Sequence, residues 1–242
     1  AVFNNKGGVG KSTLTVFLTD FISSLHFKGS GRAPRILVID VDNQASAASA
    51  LVGRDAVSEC TRQGRTLGTL LQRGSNGSPV SLDDYLIHRT EVDTGTRAIK
   101  LAPIDAIVCE AQTSEAAEDL GSPKLLSAAL RALPKLLAPR FDLVFVDLPA
   151  NVKDRDHLPM SMLAASDHVV IPAEPTDMVI SVIDQTFEKI DSARARARQA
   201  RGVKGPETTG IVLNKTNRVF ATYKKHIGRL RDIAKQHNTV VL

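Results

Sequence analysis

Residues 6–13 read Lys6-Gly7-Gly8-Val9-Gly10-Lys11-Ser12-Thr13. Glycines let consecutive backbone N–H groups turn toward one point with no Cβ in the way, which is how a loop of backbone holds an anion. A helix beginning just after Gly10 adds its N-terminal partial positive charge. Lys11 can then reach the β- and γ-phosphates of a nucleotide, and Ser12 can ligate Mg²⁺. Gly7, Gly8, Val9, Gly10 and Thr13 complete the candidate nucleotide-binding loop. The common form of this loop has a glycine five residues before Gly10, where Asn5 stands here. The form present is Lys-Gly-Gly-x-Gly-Lys-[Ser/Thr]. Its chance occurrence in a chain this long is on the order of one in ten thousand, which weighs against a mere glycine-rich turn.

Outward from the loop, short apolar runs alternate with amphipathic stretches. Val2-Phe3 is the stub of a strand, with residues expected to be missing before Ala1. Leu14, Leu18, Phe21, Ile22 and Leu25 follow at helical spacing. Continuous apolar runs of the buried parallel type end in polar residues or proline. These are Ile36–Ile39 before Asp40, Leu143–Val146 before Asp147, Val169–Ile171 before Pro172, and Ile211–Leu213 before Asn214. The alternation predicts an α/β fold: one domain over 1–242, with a single doubly wound, mostly parallel sheet and helices on both faces. Strand ends then share one edge, where ligands bind. Less regular stretches give a strand over Ile99–Pro103, two short helices within 53–98, and a helix over Lys124–Leu137 interrupted at Pro134. Ser192–Glu207 reads as a basic connection, about 221–236 as a helix, and Val240–Leu242 as the start of a last strand.

The 242 residues are 43% hydrophobic and 24% charged, enough apolar material for a large core. No apolar run reaches the length of a membrane span. Two cysteines, Cys60 and Cys109, exclude zinc-knuckle and iron–sulfur spacings. The net charge of +5 is uneven: residues 191–242 carry +9 and residues 1–190 carry −4. On the helix near 221–236, Lys224, Arg231 and Lys235 share a face, with Lys225 and Arg229 on its flanks. A basic patch with no aromatic interleaving suits phosphate-backbone contact without base readout. Arg218, Lys224, Lys225, Arg229 and Arg231 are the candidate DNA-binding residues, with the cluster from Arg194 to Lys204 a weaker second.

The loop and strand ends together resemble the ParA/MinD family of P-loop ATPases, whose phosphate loop has this deviant form. Lys6 matches the family's signature lysine, which reaches across a dimer to the partner's nucleotide. Asp40-Val41-Asp42-Asn43-Gln44 resembles its Asp-x-Asp-Pro-Gln segment, with Asn43 in the proline's place, and Phe141–Pro149 resembles its acidic second strand motif. Val170–Pro175 and Val212–Asn214 resemble the segments bordering the base, through Pro172 and Asn214. The resemblance implies that Ser12, Asp40 and Asp147 serve Mg²⁺ and that Asp42 positions the attacking water. Lys6 and Lys11 then neutralise charge on the phosphates, with no covalent nucleophile.

Asn214-Lys215-Thr216-Asn217 is similar to the Asn-Lys-x-Asp guanine reader of GTPases. Asn217 lacks the carboxylate that would accept guanine's N–H pair, so ATP is the expected nucleotide. The family resemblance further implies an ATP-dependent homodimer, non-specific double-stranded DNA, a ParB-like adaptor that stimulates hydrolysis, and a cytoplasmic, nucleoid-associated protein with no membrane partner. A MinD-like membrane-cycling ATPase and a non-hydrolysing nucleotide-gated adaptor are the alternatives.

Overall fold

The computed structural model describes residues 1–25, 31–89, 92–93, 98–99, 103–109, 132–153, 157–216 and 222–242. The chain divides into two compact units, one of residues 15–147 and one joining residues 1–14 to 148–242. Helix α1 (Lys11–Ser23) runs through the first division.

In the unit of residues 15–147, strand β1 (Ile36–Asp40) is buried at all five positions, as its uninterrupted Ile-Leu-Val-Ile run predicts. It pairs in parallel with β5 (Ile104–Val108) on one side and β6 (Leu143–Asp147) on the other. The two-residue strand β2 (Ile87–His88) adds to β5 in antiparallel sense, and β3 (Val92–Asp93) pairs with β4 (Ala98–Ile99) in a separate short ribbon. The register aligns Asp40 with Asp147, so two acidic strand ends stand side by side. Helices α2 (Ser46–Val52), α3 (Arg54–Arg62) and α4 (Leu67–Ser75) follow β1. At the opposite strand ends, Asp142 accepts from Arg32 Nη1 (2.7 Å) and from the Arg35 backbone N–H (2.8 Å), fixing the starts of β1 and β6 together. The two guanidiniums hold the Asp142 carboxyl well below the usual carboxylate range.

In the other unit, β7 (His168–Ala173) and β8 (Glu207–Leu213) pair in parallel. Val2 bridges to Val170 and Val241 to Ile211, again in parallel. Helix α5 (His157–Ala165) precedes β7, α6 (Asp177–Arg201) joins β7 to β8, and α7 (Thr222–Gln236) follows β8. Thr176 caps α6 by accepting from Val179 N–H (3.3 Å). The strand–helix alternation and mostly parallel pairing are the α/β class the sequence predicts. No helix among the described residues is long and apolar enough to cross a membrane.

Several local expectations are corrected. Of the strand expected over Ile99–Pro103, residues 100–102 lie outside the described residues, Ile99 ends β4, and β5 begins just past Pro103. The two short helices expected within 53–98 are α3 and α4, and a 3-10 turn over Leu82–Tyr85 is added to them. Of the helix expected over Lys124–Leu137, the described part is helical from 132 to 137 with Pro134 inside it. The basic connection from Ser192 is the last third of α6. Ala193 and Ala197 continue the buried stripe of Ile183, Phe187 and Ile190, and the helix stops at Gly202, whose φ of 70° forms a left-handed cap. Small alanines among arginines hide that stripe from a hydrophobicity reading. Helix α1 departs further. Its buried stripe is Lys11, Thr15, Thr19 and Ser23, whereas Phe17 and Phe21 are two-thirds exposed. Hydroxyls can line an interior face because they donate back to the helix's own carbonyls, as Thr19 does to Thr15 (2.7 Å) and Ser23 to Asp20 (2.8 Å).

Phe187 is fully buried on α6 and stacks on His237 just past α7, ring centroids 3.7 Å apart. Phe187→Ala is expected to lower unfolding free energy by about 3–5 kcal/mol in urea titrations, because it leaves a cavity beneath both helices.

Candidate functional site

The phosphate loop is anchored at its start by a buried polar knot. Asn4 is wholly buried; its Nδ2 donates to the Pro172 carbonyl (2.9 Å) and its Oδ1 accepts from the Lys6 N–H (2.8 Å). The Thr186 hydroxyl donates to Asn4 Oδ1 (3.2 Å) and accepts from the Asn5 N–H (3.1 Å), while Asn151 N–H donates to the Asn5 carbonyl (2.8 Å). These bonds tie the entry of the loop to β7 and α6. Pro172 is a buried strand residue whose contribution here is its carbonyl.

The loop then turns through Gly8 (φ +77°) and Gly10 (φ +88°), conformations that cost a side-chain-bearing residue strain. At Gly10 a Cβ would lie 2.0 Å from Asn214 Nδ2, so it would push that side chain out of its place. Helix α1 starts at once: Leu14 N–H bonds to the Gly10 carbonyl (2.9 Å), and the N–H groups of Lys11, Ser12 and Thr13 belong to the first turn, which has no intrahelical acceptor to offer them. Lys11 is buried and lays its ammonium against the Lys6 carbonyl (3.2 Å). The Lys6 side chain makes no hydrogen bond or ion pair among the described residues. From the far side, Asn214 Nδ2 donates to the Val9 carbonyl (2.9 Å) and Lys215 Nζ donates to the Gly8 carbonyl. Lys6 to Thr13, Pro172 and Asn214 therefore lie in one unit.

The three acidic candidates lie together in the other. Asp40 and Asp147 are wholly buried neighbours in register. Asp40 accepts from Ala48 N–H on Oδ2 (2.9 Å) and from Asp42 N–H on Oδ1 (3.2 Å); the Thr15 hydroxyl donates to Asp147 (3.1 Å). Asp42 is half-buried and accepts from the Gln44 N–H (3.0 Å), and Asn43 is exposed. Burial pushes the Asp40 carboxyl up to about 7, and the neighbouring Asp147 adds to the shift against the two backbone N–H bonds.

In one unit the loop offers a glycine cradle at a helix start together with the Ser12 hydroxyl, a donor set suited to phosphate. In the other unit the donors are two neighbouring buried carboxylates, which are hard oxygens. Mg²⁺ takes one or two carboxylates alongside phosphate and water. A buried carboxyl whose charge is suppressed for want of a counter-ion is also what a cation would relieve.

Of the basic candidates, Lys224, Lys225 and Arg231 are exposed on α7, as is Lys235. Arg229 is also exposed and pairs with Asp177 (3.0 Å) at the start of α6, beside His226, which is buried against the Pro175 carbonyl (2.8 Å). Arg218 lies outside the described residues, as does Asn217. In the weaker cluster, Arg194 donates to the Pro206 carbonyl (2.9 Å) and pairs with Asp191, and Arg201 donates to the Ala164 carbonyl (2.9 Å). Those two arginines hold α6 to its neighbours. Sequence reasoning misses Thr15 and Thr186: an i, i+4 hydroxyl on α1 is the one signal for Thr15, and Thr186, 182 residues from Asn4, carries none.

A glycine-rich loop leading into a helix on an α/β scaffold defines the P-loop class of protein. Residues 1–201 match the family model described as an AAA domain. The chain belongs to that family, and within it to the ParA-type P-loop ATPases. The chromosome partitioning protein ParA of Myxococcus xanthus is 26% identical over 190 residues, covering 78% of this chain and 56% of that protein. The chain thus spans little more than half the length of that relative. The structure of McdA from Cyanothece, solved with ATP, superposes with a TM-score of 0.67 at 20% identity, covering 99% of this chain and 80% of that one. pNOB8 ParA bound to nonspecific DNA superposes at 0.65 and 20% identity, covering 100% and 77%. At such identities the two structures establish the shared fold.

Asp40 yields a pH signature. Its folded-state value lies above that of an unfolded carboxyl, so the folded chain binds the extra proton and loses stability as pH rises from about 4 to about 7. Without magnesium or nucleotide, the melting temperature of the wild type is expected to fall over this window relative to Asp40→Asn. Equal pH slopes for the two proteins would contradict the burial argument.

Proposed function

We propose that the chain is a ParA-like ATPase that binds ATP with Mg²⁺, dimerises around it, binds DNA without sequence preference, and hydrolyses ATP slowly to drive DNA partition or cargo positioning. The observation that carries this reading is the pair of lysines on one cradle. Lys11 is folded back over the loop of its own chain, while the Lys6 ammonium has no partner among the described residues. A cation left over at a phosphate site is suited to a nucleotide held by a second copy, where it acts as an arginine finger would.

In this reading, the N–H groups of residues 7–13 and Lys11 hold the phosphates. Ser12, Asp40 and Asp147 hold Mg²⁺, which when bound neutralises charge developing on the transferred phosphoryl group. Asp42 orients the water. The exposed Lys224, Lys225 and Arg231 contact the DNA backbone, with Arg218 alongside. Arg229 joins them only by giving up Asp177. Relatives named for chromosome partitioning and a fold neighbour bound to nonspecific DNA support the biological setting, nucleoid-associated with a ParB-like adaptor.

Light scattering with DNA retention tests this directly. ATP with Mg²⁺ should give dimers that retain duplex DNA, and ADP or no nucleotide should give neither. Lys11→Ala should abolish nucleotide binding, whereas Lys6→Ala should keep binding but lose hydrolysis and ATP-dependent dimers. Dimers and turnover unchanged in Lys6→Ala would refute the shared-site reading. Joint substitution of Lys224, Lys225 and Arg231 by alanine should weaken retention and flatten its salt dependence by about three phosphate contacts; retention insensitive to salt would remove α7 from the interface.

A further inference from the structure

Asn214, at the end of β8, was expected to border the base. Its side chain instead turns to the phosphate loop: Nδ2 donates to the Val9 carbonyl (2.9 Å) and Oδ1 accepts from the Lys215 N–H (2.9 Å). Lys215 holds a left-handed backbone (φ 50°), rare for a lysine, and its ammonium donates to the Gly8 carbonyl. Two consecutive loop carbonyls are therefore captured from outside by two consecutive residues.

The consequence follows from peptide geometry. Each peptide unit is planar and trans, so its C=O and N–H point in opposite directions. The Gly8 carbonyl shares its plane with the Val9 N–H, and the Val9 carbonyl shares its plane with the Gly10 N–H. Pulling both carbonyls toward Asn214 and Lys215 turns both N–H groups the other way, in the sense needed to meet an anion. The absence of a side chain at Gly10 is part of the same device, because a Cβ there would occupy the space of Asn214 Nδ2.

We infer that Asn214 and Lys215 are positioning residues that fix the Val9 and Gly10 peptide planes for triphosphate binding, so that Asn214, placed by the sequence beside the base, acts on the phosphates. This rests on the nucleotide-binding reading above. It assigns Lys215 a role through the loop, with no contact to the nucleoside required.

Calorimetry with Mg²⁺ and either ATP or inorganic tripolyphosphate tests it, because the second ligand has no base. Asn214→Ala and Lys215→Ala should each weaken both ligands by the same factor, roughly tenfold for the loss of one buried or charged hydrogen bond. Lys215→Arg, which keeps a cationic donor, should recover most of the affinity. Lys215→Gly relieves the left-handed backbone and should melt no lower than the wild type while binding as weakly as Lys215→Ala. That outcome separates the role from fold stability.

Several results would overturn the inference. They are a loss confined to ATP, unchanged affinity in both alanine variants, no recovery in Lys215→Arg, or wild-type affinity in Lys215→Gly. A wild type that takes ATP but not tripolyphosphate places the affinity on the nucleoside and also overturns it. A wild type that binds neither ligand overturns the nucleotide reading itself.

Discussion

An anion held by backbone N–H groups imposes a constraint on the groups behind them: every N–H turned inward leaves a carbonyl turned outward, and those carbonyls need donors. In this chain three carbonyls of the phosphate loop, those of Lys6, Gly8 and Val9, are met by side-chain ammonium or amide donors. Lys11 takes that of Lys6, Lys215 that of Gly8, and Asn214 that of Val9, while the Asn5 carbonyl, at the loop's entry, is taken by Asn151. Glycine makes the turns possible, but it does not choose among them. The choice comes from donors just past β8, from the segment after β6, and from the knot around Asn4 and Thr186.

The acidic pair depends on a second physical balance. Asp40 and Asp147 are drawn together by strand register, and both are out of contact with water. Burial disfavours a charged carboxylate there, and the neighbouring Asp147 adds to this, so the Asp40 carboxyl is pushed up to about 7. Its two backbone N–H bonds pull the other way without prevailing. The stretch from Asp40 to Ala48 is consequently organised around a carboxylate whose charge state a cation can change. A left-handed Ala45 begins the helix whose Ala48 N–H grips it.

The basic tail of the chain divides by what its charges already touch. Arg194 and Arg201 are committed to carbonyls inside their own unit, and their guanidiniums serve as multi-pronged hydrogen-bond donors. Lys224, Lys225 and Arg231 project from α7, whose other face is buried through Ile227, Leu230 and Ala234. The sequence ranks the Arg194–Lys204 cluster second, and the contacts of Arg194 and Arg201 give the physical reason.

The sequence by itself determined the parts that depend on local chemistry. The glycine spacing with Lys11 and Ser12, the unbroken apolar runs of β1 and β7, and the amphipathic pattern of α7 were all legible, because each signal is carried by neighbouring residues whose periodicity sets their environment. Periodicity failed where packing overrode composition. The polar stripe of α1 is interior because its hydroxyls satisfy themselves. The arginine-rich end of α6 is helical because alanines give a narrow buried track. What only the tertiary structure decided is who meets whom across long separations in sequence. Asn4 meets Thr186, Asp40 stands beside Asp147, and Asn214 with Lys215 closes on Gly8 and Val9. Such contacts follow from strand register and the crossing of distant segments, and no pattern of nearby residues encodes them.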